Sequence, residues 1–300
     1  MIDIGITGGE TIIAGELVRL LINHPDASVK WVSSHCEHGK LARVHKGLIG
    51  ECDLDFGEPL VGDVDLIFNC DPFDSPLCDE ALAQNDKLRV VELSRSYGFV
   101  EGGGMYGLCE INRKFMVHDC YGYVLVPSAE AMAVLLALVP LAKNHMLKGD
   151  VDVTVNFNNC FNNDINVDSI KQEIMAVTKA LDNDFGAMIS IKQEAGTTSR
   201  GLVAHVELEA QADVDSLKDL YRDYYDDHNF TFVVNQQVDE TDVINTNKCL
   251  INLMVDGGQL HVTSVIDALL KGSAGNAVHV MNLLFGLHEK AGLALKAQVF

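Results

Sequence analysis

The sequence predicts an α/β fold: a doubly wound parallel sheet in its first part, followed by a second domain of α+β texture. Three observations carry this. Short apolar runs alternate with amphipathic helical stretches before residue 100, a glycine-rich turn joins the first strand to the first helix, and β-rich segments dominate after residue 141. Strands that alternate with helices pair in parallel, because each crossover helix returns the chain to the same edge of the sheet.

In chain order, residues 3–7 read as a buried strand, 14–23 as an amphipathic helix and 28–33 as a second strand, with 66–69 and 89–93 as further buried strands. The run 131–141 is apolar on every side, the pattern of a buried helix. Beyond it, 151–157, 187–191, 202–209 and 250–254 are β-rich, while 170–181 and 215–225 keep a helical period. The stretch 275–287 reads as the last helix. No internal repeat and no low-complexity linker interrupts this order.

Three hundred residues with 48% apolar content are enough for two domains with cores of their own. The chain opens on a strand-like Met1-Ile2-Asp3-Ile4-Gly5-Ile6 rather than a basic, cleavable leader, and its apolar runs fall short of a membrane span. A soluble cytoplasmic protein with no membrane contact is expected. The eight cysteines, at 36, 52, 70, 78, 109, 120, 160 and 249, form no C-x-x-C pair and read as reduced thiols. The eleven histidines show no ligand spacing, so no metal site is expected. A net charge of −21 repels nucleic acid, and it opposes any polyanion whose site does not collect positive charge locally.

The loop Gly5-Ile6-Thr7-Gly8-Gly9-Glu10-Thr11 lies where a dinucleotide fold seats pyrophosphate on a helix N-terminus. A G-x-x-G-x-x-G form would end on glycine, whereas this chain has Thr11, which brings a branched side chain to a place of close approach. Glu10 puts a carboxylate at the positive end of the helix, which repels a phosphate. Two readings stand: a working phosphate loop, or a plain strand-to-helix turn with a self-capped helix.

Further stretches together resemble the N-acetyl-gamma-glutamyl-phosphate reductase family. They are Gly15-Glu16-Leu17-Val18-Arg19 through His24-Pro25, Val32-Ser33-Ser34 with Gly39-Lys40, Val44-His45, Tyr106-Gly107-Leu108 with Glu110 and Asn112-Arg113, and Leu136 through Leu141. The strongest are Asn245-Thr246-Asn247-Lys248-Cys249-Leu250-Ile251 and Leu270-Lys271-Gly272-Ser273-Ala274-Gly275-Asn276-Ala277-Val278 with Met281-Asn282-Leu283. The resemblance implies a Rossmann-like domain over 1–128, completed by a C-terminal return helix within 270–300, with an α+β dimerisation and catalytic-type domain over 129–269 inserted before it. It also implies NADP(H) as cofactor, with Gly5, Gly8, Gly9, Ser33, Ser34, Gly272 and Gly275 as the residues that would line it, and an oligomeric protein.

Where that family places chemistry, this chain departs. The family's Asn-Pro-Gly-Cys signature reads here as Val126-Pro127-Ser128-Ala129, so Ala129 stands at the nucleophile position. The helical segment that supplies its catalytic histidine is similar to Asp168-Ser169-Ile170-Lys171-Gln172-Glu173-Ile174, in which only the Glu and Ile remain. An active-site loop is represented by the shorter Asn158-Asn159-Cys160-Phe161-Asn162-Asn163-Asp164, a Pro-His-Gly turn by Pro72-Phe73-Asp74, and a Ser-x-Asp-aromatic-Arg segment by Ser94-Arg95-Ser96-Tyr97-Gly98. Thioester catalysis needs a thiolate, an imidazole and oxyanion donors. The expected cleft gains Asp71, Asp74, Glu130 and Asp168 while losing an arginine and histidines, which opposes an anionic substrate and an anionic cofactor together. Cys160 is the one substitute thiol in reach, with Cys120 farther off. In Gln193-Glu194 through Arg200-Gly201, Arg200 either clamps a carboxylate or stabilises a loop through backbone carbonyls.

These residues lead us to expect a homologue without acyl-phosphate reductase activity, acting as a binding or regulatory subunit and forming homo-oligomers or hetero-oligomers with an active relative. The alternatives are an active NADPH-dependent reductase of arginine biosynthesis and a thiol-independent NAD(P)-dependent oxidoreductase.

Overall fold

The computed structural model describes residues 1–71, 73, 77–94, 104–118, 122–157 and 166–297. The contacts divide the chain into two compact units, Met1–Pro127 with Ser273–Ala294, and Ser128–Gly272 with Leu295–Phe300.

The first unit contains an eight-stranded sheet. Its strands are β1 (Ile2–Thr7), β2 (Ala27–Val32), β3 (Gly39–Lys40), β4 (Asp55–Phe56), β5 (Leu66–Asn69), β6 (Arg89–Glu92), β7 (Met105–Tyr106) and β8 (Tyr123–Leu125), in spatial order β3-β4-β2-β1-β5-β6-β8-β7. Every pairing is parallel except β3 with β4. The order reverses at β1, as doubly wound sheets do. Helices α1 (Ile12–Leu21), α2 (Leu77–Gln84) and α3 (Cys109–His118) supply the crossovers. Helix α1 buries Ala14, Leu17, Val18, Leu20 and Leu21, one stripe at helical spacing. It starts two residues before the expected position because Thr11 caps it, and it stops ahead of Pro25.

The second unit begins with α4 (Ala129–Lys143), followed by β9 (Val151–Phe157), α5 (Val167–Leu181), β10 (Ile189–Glu194), β11 (Gly201–Glu209), α6 (Val214–Tyr225), β12 (Thr231–Val234), β13 (Cys249–Asp256) and β14 (Gln259–Asp267). The six strands form one mixed sheet, β10-β9-β11-β14-β13-β12, with parallel pairs at both edges and antiparallel pairs between. Helix α4 packs on β11, β14 and β13, with α5 and α6 beside it. On the other face of the sheet, Lys192, Thr154, His205, Thr263 and Asn252 form one cross-strand row, none of them buried.

Pro140 lies inside α4 and has no N–H to bond the Leu136 carbonyl one turn back. The hydroxyl of Tyr225, from α6, donates to that carbonyl at 2.6 Å, and Tyr221 donates to the neighbouring Ala137 carbonyl. A buried carbonyl left unpaired costs about 1–3 kcal/mol, so Tyr225 repairs what the proline removes. Both sit on the buried stripe of α6 with Leu217.

A π-helical turn, Leu270–Ala274, leads into α7 (Gly275–Leu284), which packs within the first unit against α1, α3 and β6. Asn282 fastens it: its Oδ1 meets His24 Nε2 at 3.0 Å, and its Nδ2 donates to the carbonyls of Glu289 and Ala291. The helix ends at Leu284, three residues short of the expected end. The edge strand β12, the long strand β14, the short β7 and β8, and helices α2 and α3 were absent from the elements read off the sequence.

Candidate functional site

In the second unit the site is built at the start of α4. Ser128 is its N-cap: the hydroxyl accepts from Ala131 N at 3.3 Å and donates to Glu173 Oε2 on α5 at 2.7 Å, while Ser128 N donates to Glu173 Oε1 at 3.3 Å. Glu173 is 5% exposed, so its carboxylate is committed to this cap. Ala129 opens the helix, and the wall beside it is Gly272: a Cβ at Gly272 would lie 2.7 Å from the Ala129 methyl carbon. Gly272 therefore packs against Ala129. Next to it, burial raises the pKa of the Glu130 carboxyl, an effect its own backbone N–H partly offsets.

Helix α5 starts from an Asn166 cap that accepts from Ser169 N. Its inward stripe is Ile170, Glu173, Ile174, Val177 and Thr178. Ile170 is thus core, whereas Asp168 is exposed. Arg200 pairs with the carboxylate of buried Asp267 at 2.8 Å and not with carbonyls alone. Asp267 Oδ2 also accepts from Asn245 N, and Oδ1 accepts from Leu269 and Leu270 N, so it anchors the entry to the π turn. Glu194 pairs with Lys192 at the exposed end of β10. Lys271, fully buried in the π turn, is a residue that sequence reasoning took for framework; its only signal was a lysine following the apolar run Ala268-Leu269-Leu270.

In the first unit the glycine loop is packed from within. Gly8 adopts φ 62°, and a Cβ there would meet the Cys70 backbone at 2.5 Å. A Cβ at Gly5 would meet the Trp31 ring at 2.1 Å, and one at Gly9 would meet Val32 Cγ1 at 2.5 Å. Gly9 N donates to Ser33 O, while the Ser34 hydroxyl accepts from Cys36 and Glu37 N. Thr11 donates to Gly8 O at 2.8 Å and accepts from Ala14 N at 3.2 Å, and His45 Nε2 donates to Gly9 O at 2.6 Å. Glu10 Oε2 is enclosed and accepts no hydrogen bond among the described residues. Gly275 is buried at the start of α7, where Asn276 Nδ2 donates to Gly107 O.

The carboxyl edge of this sheet, where doubly wound folds seat their ligands, is acidic. Thr7 donates to Asn69, Asn69 Nδ2 to Glu92 at 2.7 Å, and Tyr123 and Ser94 complete the donors around that buried carboxylate. Beside it Asp71 accepts from Phe73 N and from His35 Nε2 at 2.7 Å. The Asp71 hydrogen bond raises the His35 pKa, with Glu10 adding to the effect, and Phe73 meets the ring edge-on. Burial pushes the Cys78 thiol up to about 12 and Cys70 well above its usual range, so neither supplies a thiolate. These residues do not fit a dinucleotide pyrophosphate: the glycines serve internal packing, Glu10 sets a carboxylate in the loop, and the imidazoles of His35 and His45 are held by Asp71 and Gly9 O. Pro72, Asp74, 95–98, Cys120 and 158–164, Cys160 included, lie outside the described residues.

Comparisons place these observations. Residues 169–268 match the family model described as semialdehyde dehydrogenase, dimerisation domain. The chain is 35% identical to an N-acetyl-gamma-glutamyl-phosphate reductase of Azobacteroides pseudotrichonymphae over 321 positions, and 37% identical to one of Parabacteroides distasonis over 328, covering 100% of both chains in each case. Those alignments exceed the 300 residues here, so the relatives carry insertions this chain lacks. Among solved structures, an aspartate semialdehyde dehydrogenase II of Vibrio cholerae matches with TM-score 0.71 at 13% identity, covering 95% of this chain and 98% of that one. An aspartate semialdehyde dehydrogenase with NADP from Candida albicans matches with TM-score 0.68 at 12% identity, covering 97% and 99%. At these identities the structural matches establish the shared fold.

Proposed function

Since the chain belongs to the N-acetyl-gamma-glutamyl-phosphate reductase family, we propose that it is a member without acyl-phosphate reductase activity that acts as a binding or regulatory homologue. The observation that carries this is the start of α4. Ala129 offers no nucleophile, and the hydroxyl of Ser128, its neighbour in sequence, is tied as a cap to Ala131 N and Glu173. The position of the family's helical histidine is occupied by exposed Asp168 and buried Ile170, neither of which can activate a thiol.

Residues 1–128 with 270–300 then form a dinucleotide-type domain whose loop no longer favours NADP(H), and 129–269 a dimerisation-type domain. The family match over 169–268 supports assembly through this second domain, and the cross-strand row Lys192, Thr154, His205, Thr263 and Asn252 marks the sheet face available for it. We assign homo-oligomers first; a complex with an active relative is the other outcome of a sedimentation measurement. No helix among the described residues is long and apolar enough to cross a membrane, which fits a cytoplasmic location.

The test is enzymatic. The purified chain is assayed for phosphate-dependent oxidation of N-acylated glutamate semialdehyde with NADP, beside an NADPH titration followed by ligand fluorescence at low ionic strength. We expect no turnover above the blank and no saturable binding at micromolar ligand. Turnover by the unaltered chain overturns the proposal. Ala129→Cys alone is expected to leave turnover absent, because the imidazole position is not restored.

A further inference from the structure

We propose that His145, Asp182 and Asp184 form a binding site for one divalent ion of the zinc and cobalt class. The three side chains come from two loops that the sequence keeps far apart, Asp182 lying 37 positions after His145, so spacing alone gave no ligand pattern. Each offers one ligand atom, and the three atoms lie within 4.8 Å of one another. Asp182 is buried and the other two are exposed.

The local backbone explains how they meet. Asn144 ends α4, and His145 adopts φ 55°; Met146 N returns to Leu141 O, closing the turn past the helix end. His145 Nδ1 then bonds Asp182 Oδ1 at 2.8 Å. Asp182 ends α5, its N–H bonding Thr178 O, and its Oδ1 also accepts from Asp184 N at 3.2 Å. Two helix C-termini thus converge on the cluster, and each carries the partial negative charge of its last carbonyls. Lys143, two residues before His145, directs its ammonium over the Tyr224 ring. A cation that enters is stabilised by two carboxylates and two helix ends together.

One imidazole nitrogen with two carboxylate oxygens selects borderline divalent ions over calcium or thiophilic copper, and water completes the coordination shell. Ligand atoms around such an ion lie closer together than 4.8 Å, so the exposed side chains of His145 and Asp184 move inward. The ion takes the place of the His145 Nδ1–H against Asp182 Oδ1, and the neutral imidazole carries its one N–H on Nε2 instead.

The test uses the full chain in a Cys36→Ser background, which removes the one exposed thiol among the described residues as a competing ligand. After chelator treatment it is titrated with cobalt(II) and, separately, zinc(II) by calorimetry. We expect one ion per chain, and affinity at least about tenfold lower in both His145→Gln and Asp184→Asn. Both substitutions fall on exposed side chains, so far-ultraviolet circular dichroism should be unchanged. No saturable binding, or binding that neither substitution weakens, overturns the proposal.

Discussion

The two strand-to-helix junctions, β1 to α1 and β8 to α4, share a plan and differ in how they are closed. Each helix is capped by its own hydroxyl, Thr11 in one and Ser128 in the other. At β8–α4 a neighbouring helix finishes the job: Glu173 takes the Ser128 hydroxyl and N–H. At β1–α1 the loop closes through its own backbone and His45, and it leaves Glu10 Oε2 enclosed without a donor. A junction locked by a distant residue resists a ligand through packing, whereas one whose carboxylate meets no donor among the described residues opposes anions through charge. The second is the easier to reverse.

The largest effect expected is for Gly8→Ala, which breaks the first junction. The new methyl must occupy left-handed backbone and would sit 2.5 Å from Cys70 main-chain atoms, so we expect a loss of about 3 kcal/mol or more, read as an earlier first transition in urea. Next, Ser128→Ala should cost more than Thr11→Ala. Both remove a cap, about 1 kcal/mol each, but the first also strips the hydroxyl, one of two donors, from a buried carboxylate, adding about 1–3 kcal/mol. Equal losses in matched denaturation curves would show that the hydroxyl bond to Glu173 contributes nothing to its junction.

The smallest effects are pH-dependent and opposite in sign. Burial raises the Glu130 pKa, so folding disfavours its charged form: the penalty is present above the folded pKa and vanishes as the pH falls below the unfolded value. Glu130→Gln should therefore stabilise at pH 7 and lose that advantage in acid. The His35 pKa is raised by Asp71, so its contribution is full below the unfolded imidazole value and is lost as the pH rises through the folded one. Because the His35 side chain is half exposed, His35→Gln should destabilise slightly at pH 5.5 and not at pH 9. Thermal melts across pH check both signs.

Much of the architecture was legible because local pattern decides it. The strands at 66–69 and 151–157 were read to the residue, since each is a β-branched or aromatic run with polar boundaries. Strand β14 was missed although Leu260, Val262 and Ser264 alternate inward, because polar Gln259, His261 and Thr263 interleave with them and dilute the apolar signal. At the candidate site the substitutions were visible and their consequences were not. Glu173 read as a leftover of the family pattern, and only the approach of α5 to α4 gives it a partner 45 residues away. The Arg200–Asp267 pair, 67 residues apart, was hidden for the same reason.

The tyrosine that repairs α4 has a consequence for how the chain is made. Leu136 leaves the ribosome 89 residues ahead of Tyr225. At bacterial-like elongation rates of about 5–20 residues per second, its carbonyl waits roughly 5–18 seconds for its donor. During that interval the end of α4 can settle only against water or a temporary neighbour. A pause in translation between these two positions would lengthen the vulnerable period without altering a single contact of the finished protein.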